Sequence, residues 1–316
     1  MTVGVPRSNA VPMAVAPLRV APKHLLRVAD LSPAQLARLL DLASAMDADA
    51  DGWLDALRGR SVACYFAKPS TRTRVSFAAA AARLGMNAIL LRPDELQLGR
   101  GETIADTART LSAYCDAIVI RTFAQSDVEE LAAAATAPVI NALTDDHHPC
   151  QALADLLTVR EEFGRLENIR LAYVGDGNNV ANSLLEAGAL AGMEVVVACP
   201  PGYEPEVGGH VTHDPREAVT GAHAVYTDVW VSMGDEAEQA ARDAAFRPYQ
   251  VDEELLALAR PDAIFLHCLP AHRGQEVTAG VIDGPRSAVW RQARNRESTE
   301  EALLYTLVSG DWKEKP

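Results

Sequence analysis

From Ser32 onward, amphipathic segments at helical spacing alternate with short, continuous apolar runs rich in β-branched residues. Runs that are apolar at every position predict strands buried on both faces, and their alternation with helices predicts parallel sheets with crossover helices. The first four such runs are 61–67 (SVACYFA), 87–92 (NAILLR), 117–121 (AIVIR) and 138–143 (PVINAL). A second series follows at 169–175 (IRLAYVG), 194–199 (EVVVAC), 224–229 (AVYTDV) and 263–269 (AIFLHCL). Ser32-Pro33 is an N-cap with a first-turn proline, opening a helix whose Leu36, Leu39, Leu40 and Ala43 share one face. Another helix begins near Thr71 and closes at Gly85, and a long one, QALADLLTVREEF, leads from the first series into the second. The stretch 200–216, rich in Pro, Gly and His, predicts an exposed excursion. The fold class is therefore α/β, with two doubly wound parallel-sheet units.

Composition supports two such units. The 316 residues are 48% apolar and 23% charged, long enough for two domains that each bury a core. With 29 basic against 43 acidic side chains the net charge is −14, so no basic excess exists to neutralise nucleic-acid or membrane phosphates. An anionic substrate needs a local basic pocket. The cysteines Cys64, Cys115, Cys150, Cys199 and Cys268 are odd in number and scattered, without CxxC spacing, which predicts reduced thiols in a cytoplasmic protein. No apolar run approaches the ~18 residues of a membrane span. Residues 1–22, interrupted by Pro6, Pro12 and Pro17, read as a flexible tail rather than a signal peptide.

In doubly wound sheets, ligands bind outside the carboxyl ends of the strands, so chemistry is sought in the loops that follow them. Those loops read KPSTRTR, RTF, TDDHHPCQ, GDGNN, DVWVSMG and HCLP. Ser70-Thr71-Arg72-Thr73-Arg74 sets hydroxyls, free backbone N–H groups and two guanidinium groups at a helix N-terminus, the donor set an oxyanion such as phosphate requires. The same residues would also make a capped helix with solvated arginines. No GxxxxGK[ST] or GxSxG occurs, which disfavours a Walker-type NTPase and a serine hydrolase. Gly175-Asp176-Gly177-Asn178-Asn179 invites a dinucleotide reading, but Val180 stands where the third glycine belongs, and the next strand runs into Cys199-Pro200 instead of an acidic residue. His147, His148, Cys150, His267 and Cys268 lack a spacing that compels metal binding. Lys68, beside Pro69 and the arginines, reads as an ion-pair partner. Asp228, Ser232 and Gly234 form either a ligand-contacting loop or a surface loop anchored by Trp230.

Taken together, FAKPSTRTR (66–74), RTF (121–123), HPCQ (148–151), DVWVSMG (228–234) and HCLP (267–270) resemble the ornithine carbamoyltransferase branch of the transcarbamylases, in order and spacing, from about residue 23 onward. The resemblance implies two α/β domains joined by crossing helices: a carbamoyl phosphate domain at 23–162, an ornithine domain at 163–296, and a C-terminal helix at 297–312 packing back on the first. It implies that Ser70, Thr71, Arg72, Thr73 and Arg121 bind carbamoyl phosphate, with His148 and Gln151 on the carbamoyl end and Arg296 as a further phosphate contact. Gln97, in LQLGRGET, matches a residue that reaches a neighbouring subunit's site, so a homotrimer with shared active sites is expected. Asn179, Asp228, Ser232 and Met233 would hold the amino-acid head of L-ornithine, and Cys268 and Leu269 would sit by its side-chain nitrogen.

The implied reaction, within arginine metabolism, makes L-citrulline and phosphate without metal or other cofactor. An uncharged amine attacks the carbonyl of a carboxylic-phosphoric anhydride. Arg72 and the helix N-terminus would stabilise the leaving group, Arg121, Thr73 and His148 would polarise the carbonyl, and Cys268 and Asp228 would relay the proton of an ammonium whose ordinary pKa is ~10.4. Cys268 could equally be a buried small hydrophobe. Two further classes fit the same residues: a transcarbamylase for another amine acceptor, and a non-catalytic protein that binds a small anion.

Overall fold

Ser32 starts the first helix as its sequence requires: its hydroxyl accepts from the Gln35 N–H, and the Gln35 side chain accepts in return from the Ser32 N–H. That helix, α1 (Pro33–Ala48), buries Leu36, Leu39, Leu40 and Ala43 and is followed by the short α2 (Ala50–Trp53). A computed structural model describes residues 23–231 and 239–312.

The first sheet is built from β1 (Ser61–Phe66), β2 (Asn87–Leu91), β3 (Ala117–Arg121) and β4 (Val139–Leu143), in the order β2-β1-β3-β4 and all parallel. Its crossovers are α3 (Thr71–Arg83), α4 (Ile104–Tyr114) and α5 (Gln125–Ala134). The linking helix α6 (Pro149–Phe163) leads to β5 (Arg170–Val174), α7 (Asn179–Ala191), β6 (Glu194–Ala198), β7 (His210–Thr212), α8 (Pro215–Val219) and β8 (Ala224–Thr227). After α9 (Gln239–Phe246) and α10 (Glu253–Leu256) come β9 (Ile264–His267), α11 (Ala279–Ile282) and α12 (Val289–Ser309). The second sheet is also parallel, in the order β7-β6-β5-β8-β9. No helix of the described residues is long and apolar enough to cross a membrane.

The α/β class is the expected one, and each predicted strand contains an observed one whose ends lie within two residues of the predicted ends. Two features differ. The stretch 200–216 is more than an excursion, because His210–Thr212 pairs with β6 as an edge strand. Three residues, one exposed and two half-buried, carry too little apolar pattern to announce a strand. The C-terminal helix begins at Val289, not 297, so Arg296 lies inside it. Its buried face is largely polar, with Gln292, Asn295, Arg296, Ser298, Thr299, Glu300 and Glu301 all hidden, which masks the usual apolar stripe.

That polar face is what ties the halves together. α12 packs against α1, α3 and α6 and reaches β9 of the second sheet. Asn295 donates to Thr158 Oγ1 at 3.0 Å and Glu161 Oε2 at 2.8 Å on α6. The buried Arg296 guanidinium donates to Glu300 Oε1 through Nε (3.0 Å) and Nη2 (2.5 Å), one turn along the same helix. The loop after β4 is held on α7 by His148 N–H to Ser183 Oγ (2.8 Å) and Asn182 Nδ2 to Asp146 O (3.1 Å).

Removing the counter-charge while keeping the guanidinium leaves a buried cation unpaired. Glu300→Ala is expected to destabilise the fold by about 3–5 kcal/mol, measured by denaturant unfolding; a loss below about 1 kcal/mol would mean that water reaches Arg296.

Candidate active site

Each sheet reverses its strand order once, between β1 and β3 in the first and between β5 and β8 in the second. Crevices open at such switch points, and here the loops of both converge on one cleft of about 1360 Å³.

The first sheet supplies the cationic wall. Ser70 caps α3 by accepting from the Thr73 N–H at 3.2 Å, which leaves Thr71 and Arg72 projecting at the helix N-terminus. Arg121 ends β3, Gln151 comes from the first turn of α6, and Arg296 from α12; all three line the cleft. Arg296 Nη1 donates to Gln151 Oε1 at 2.9 Å and Nη2 to Thr73 Oγ1 at 3.4 Å. Burial, helped by Arg296 and Arg72, pulls the Arg121 pKa down to about 10. Burial and the same three arginines hold His148 well below the ordinary imidazole value, so it is neutral at physiological pH. Arg121 Nε and His148 Nδ1 are buried without a partner among the described residues. Lys68 pairs with Asp145, as its sequence context suggested, and sits 4.3 Å from the Phe123 ring centroid.

The second sheet supplies a carboxylate wall. Asp228, just after β8, accepts from Cys268 Sγ (2.9 Å), Asn178 Nδ2 (3.0 Å) and the Val229 N–H (2.8 Å). Burial first, and then Asp228, push the Cys268 thiol well above its usual range, so it is a hydrogen-bond donor and not a thiolate. His267 has both ring nitrogens engaged: Nδ1 accepts from the Leu269 N–H at 2.8 Å, and Nε2 lies 3.2 Å from Glu276 Oε1. That tautomer steadies Leu269 at φ 58, a left-handed backbone unusual for a side-chain-bearing residue. Asp228, His267 and Cys268 bring ligand atoms within 4.8 Å of one another, but both histidine nitrogens are already in use. Gly177 lets the loop after β5 approach its neighbour, since a Cβ there would stand 2.3 Å from Pro205 N.

Of the residues singled out from sequence, Ser70 to Thr73, Arg121, His148, Gln151, Asn179, Asp228, Cys268, Leu269 and Arg296 all line this cleft. Gln97 is exposed and is not among the residues lining it. Ser232 and Met233 lie outside the described residues. Sequence reasoning named Asn178 within the GDGNN loop but gave it no role of its own, although it bonds Asp228; its signal was its place as α7 N-cap, where its Oδ1 accepts from Val180 N–H. It did not foresee that Asp176 of the same loop pairs with Arg242 at 2.7 Å, both lining the cleft. Asn179 meanwhile donates its amide to Thr144 O at 2.5 Å.

Residues 23–161 match the aspartate/ornithine carbamoyltransferase carbamoyl-P binding domain, and residues 167–307 match the Asp/Orn binding domain of the same family. The chain belongs to the aspartate/ornithine carbamoyltransferase family. It is 55% identical over 304 residues to an ornithine carbamoyltransferase of Parafrankia sp. (strain EAN1pec), covering 90% of this chain and 96% of that one. An ornithine carbamoyltransferase of Methanothermobacter thermautotrophicus is 54% identical over 303 residues, covering 90% and 99%. Among solved structures, that of ornithine carbamoyltransferase from Pyrococcus furiosus superposes with a TM-score of 0.88 at 48% identity, over 93% of this chain and 99% of that one. The cationic wall thus falls within the family's carbamoyl-P domain, Arg296 excepted, and Asp228 and Cys268 within its Asp/Orn domain.

The electrostatics of the cationic wall predict a silent histidine. In an NMR titration of the intact protein, the His148 ring signals should stay constant between roughly pH 6 and 8; a midpoint in that interval would show that burial and the arginines do not control it.

Proposed function

We propose that the chain transfers the carbamoyl group of carbamoyl phosphate to the side-chain amine of L-ornithine, giving L-citrulline and phosphate. The observation that carries this reading is the pairing of opposite walls in one cleft: Arg72, Arg121 and Arg296 on one side, Asp228 with Asn178 and Cys268 on the other. The first wall suits a phosphoanhydride and the second suits an ammonium-bearing amino acid.

Ser70, Thr71, Arg72, Thr73 and the N-terminal N–H groups of α3 hold the phosphate, and Arg121, His148 and Gln151 face the carbamoyl end. A neutral His148 offers a hydrogen bond to the carbonyl oxygen without adding a fourth positive charge. The amine nitrogen forms its bond to the carbonyl carbon, the tetrahedral oxyanion is stabilised by Arg121, and the C–O bond to phosphorus breaks with its electron pair leaving on phosphate. The ammonium has passed one proton by way of Asp228 to solvent before attack, and the second passes to the departing phosphate. Cys268 keeps its own proton, so its part is to orient Asp228 beside the amine; Asp228, Asn179, Ser232 and Met233 hold the amino-acid head, with Leu269 beside the reacting nitrogen. Catalysis needs no metal or cofactor.

The assembly proposed is a homotrimer with shared sites, located in the cytoplasm. Gln97 is exposed and does not line its own cleft, and Val75 and Ile89 are exposed apolar residues on the same half of the chain. The five cysteines are unpaired, as suits a reducing compartment.

Acceptor choice tests the function. Carbamoylation rates compared for ornithine, lysine, putrescine, N-acetylornithine and aspartate should favour ornithine by orders of magnitude, because buried polar partners reject analogues that leave them unpaired. Equal rates with any other acceptor would sink the head-group assignment, and no citrulline at all would leave a non-catalytic anion-binding protein.

Mixing tests the assembly. Arg72→Ala and Gln97→Ala proteins, each inactive alone, should regain activity when dissociated and reassembled together, since some sites then combine two intact contributions. Absence of recovery in mixed trimers would rule out sharing through Gln97.

A further inference from the structure

Behind the cleft, in the buried seam between α6 and α12, lies a polar chain that substrate contact does not explain. Asp155 is wholly buried on α6, one turn beyond Gln151. Its Oδ1 accepts from Gln151 Nε2 at 2.8 Å and from Gln292 Nε2 at 2.6 Å. Because Nε2 of Gln151 is committed to Asp155, its Oε1 must face the other way, where it accepts from Arg296 Nη1. Gln292 is fixed in the same manner. Its Nε2 also donates to Tyr226 Oη at 3.1 Å, and its Oε1 accepts the backbone N–H of His267, the residue before Cys268, at 2.9 Å.

Burying an ionisable carboxyl is costly, and an apolar residue of similar volume would serve packing as well or better. Burial pushes this carboxyl up to about 7 while the bonds from Gln151, Gln292 and Tyr226 draw it down. What the carboxylate supplies that an apolar residue cannot is one acceptor for two amides. A flipped Gln151 would turn a donor toward the Arg296 guanidinium and leave Asp155 facing another oxygen.

We propose that Asp155 is a positioning residue for carbamoyl transfer, fixing the amides of Gln151 and Gln292 so that Arg296 on one wall and Cys268 on the other stay in register across the cleft. The proposal rests on the carbamoyl-transfer reading above. It places the coupling between the two substrate sites in the α6–α12 seam, away from the loops that touch substrate.

The test compares Asp155→Ala, Asp155→Asn and Gln292→Leu in the full-length protein, with kcat, KM for each substrate and thermal unfolding measured together. Asp155→Ala should raise KM for carbamoyl phosphate and lower kcat by about tenfold or more each, the effect of one lost orienting hydrogen bond. Asp155→Asn, whose side-chain oxygen still accepts, should recover most of both. Gln292→Leu, which leaves α6 intact and decides the matter if Asp155→Ala does not fold, should lower kcat and raise KM for ornithine more than for carbamoyl phosphate. Variants that unfold earlier but keep wild-type kinetic constants would overturn the proposal, as would an asparagine variant no better than alanine. If the wild type itself makes no citrulline, the functional reading fails separately. Calorimetric binding of inorganic phosphate then decides: about tenfold weakening in Asp155→Ala supports positioning of the cationic wall, and unchanged affinity overturns it.

Discussion

Three guanidinium groups share one wall of the cleft, and keeping them there is the constraint around which the rest is arranged. Like charges brought together repel, and burial first, then Arg296 and Arg72, pull the Arg121 pKa down. The structure meets this with devices drawn from distant parts of the chain. Glu300 stands against Arg296 at 2.5 Å, Ser70 caps the helix that presents Arg72, and Gln151 turns its carbonyl oxygen to Arg296. His148, buried beside the same arginines, stays neutral. The long C-terminal helix, with its buried polar face, is the element that carries both Arg296 and its counter-charge into place.

This explains which parts of the molecule could be read in the sequence. Strands buried on both faces appear as continuous apolar runs, so β1, β3 and β5 stood out, and the polar loops after them stood out by contrast. Ser70, Arg72, Arg121, Asp228 and Cys268 were visible because strand ends are where chemistry collects in parallel sheets. The start of α12 was hidden for the opposite reason: Gln292 and Asn295 are buried by hydrogen bonds to α6, and burial of that kind leaves no apolar period. Asn178 was given no role of its own because it does two things at once, capping α7 and bonding Asp228, and the first alone accounts for its residue type. Asp155 gave no signal at all, since an aspartate on a helix reads as solvated until its neighbours are known.

The two walls solve different electrostatic problems. On the cationic side, charge is concentrated, which suits a phosphoanhydride whose negative charge grows as the C–O bond breaks. On the other side, charge is spread. Asp228 accepts three hydrogen bonds, from a thiol, an amide and a backbone N–H, none of which brings a formal charge. In the proposed reaction, a bare carboxylate beside the ammonium would hold the proton that the amine has to lose before it can attack. Spreading the charge over three neutral donors weakens that hold while leaving enough attraction to orient the head group. Cys268 fits this role as a protonated thiol, because a thiolate would add a second negative charge and favour the ammonium further. The hydrogen bond from Cys268 to Asp228 is therefore to the acceptor wall what Glu300 is to the donor wall: each adjusts the charge of its partner to what the reacting group can tolerate.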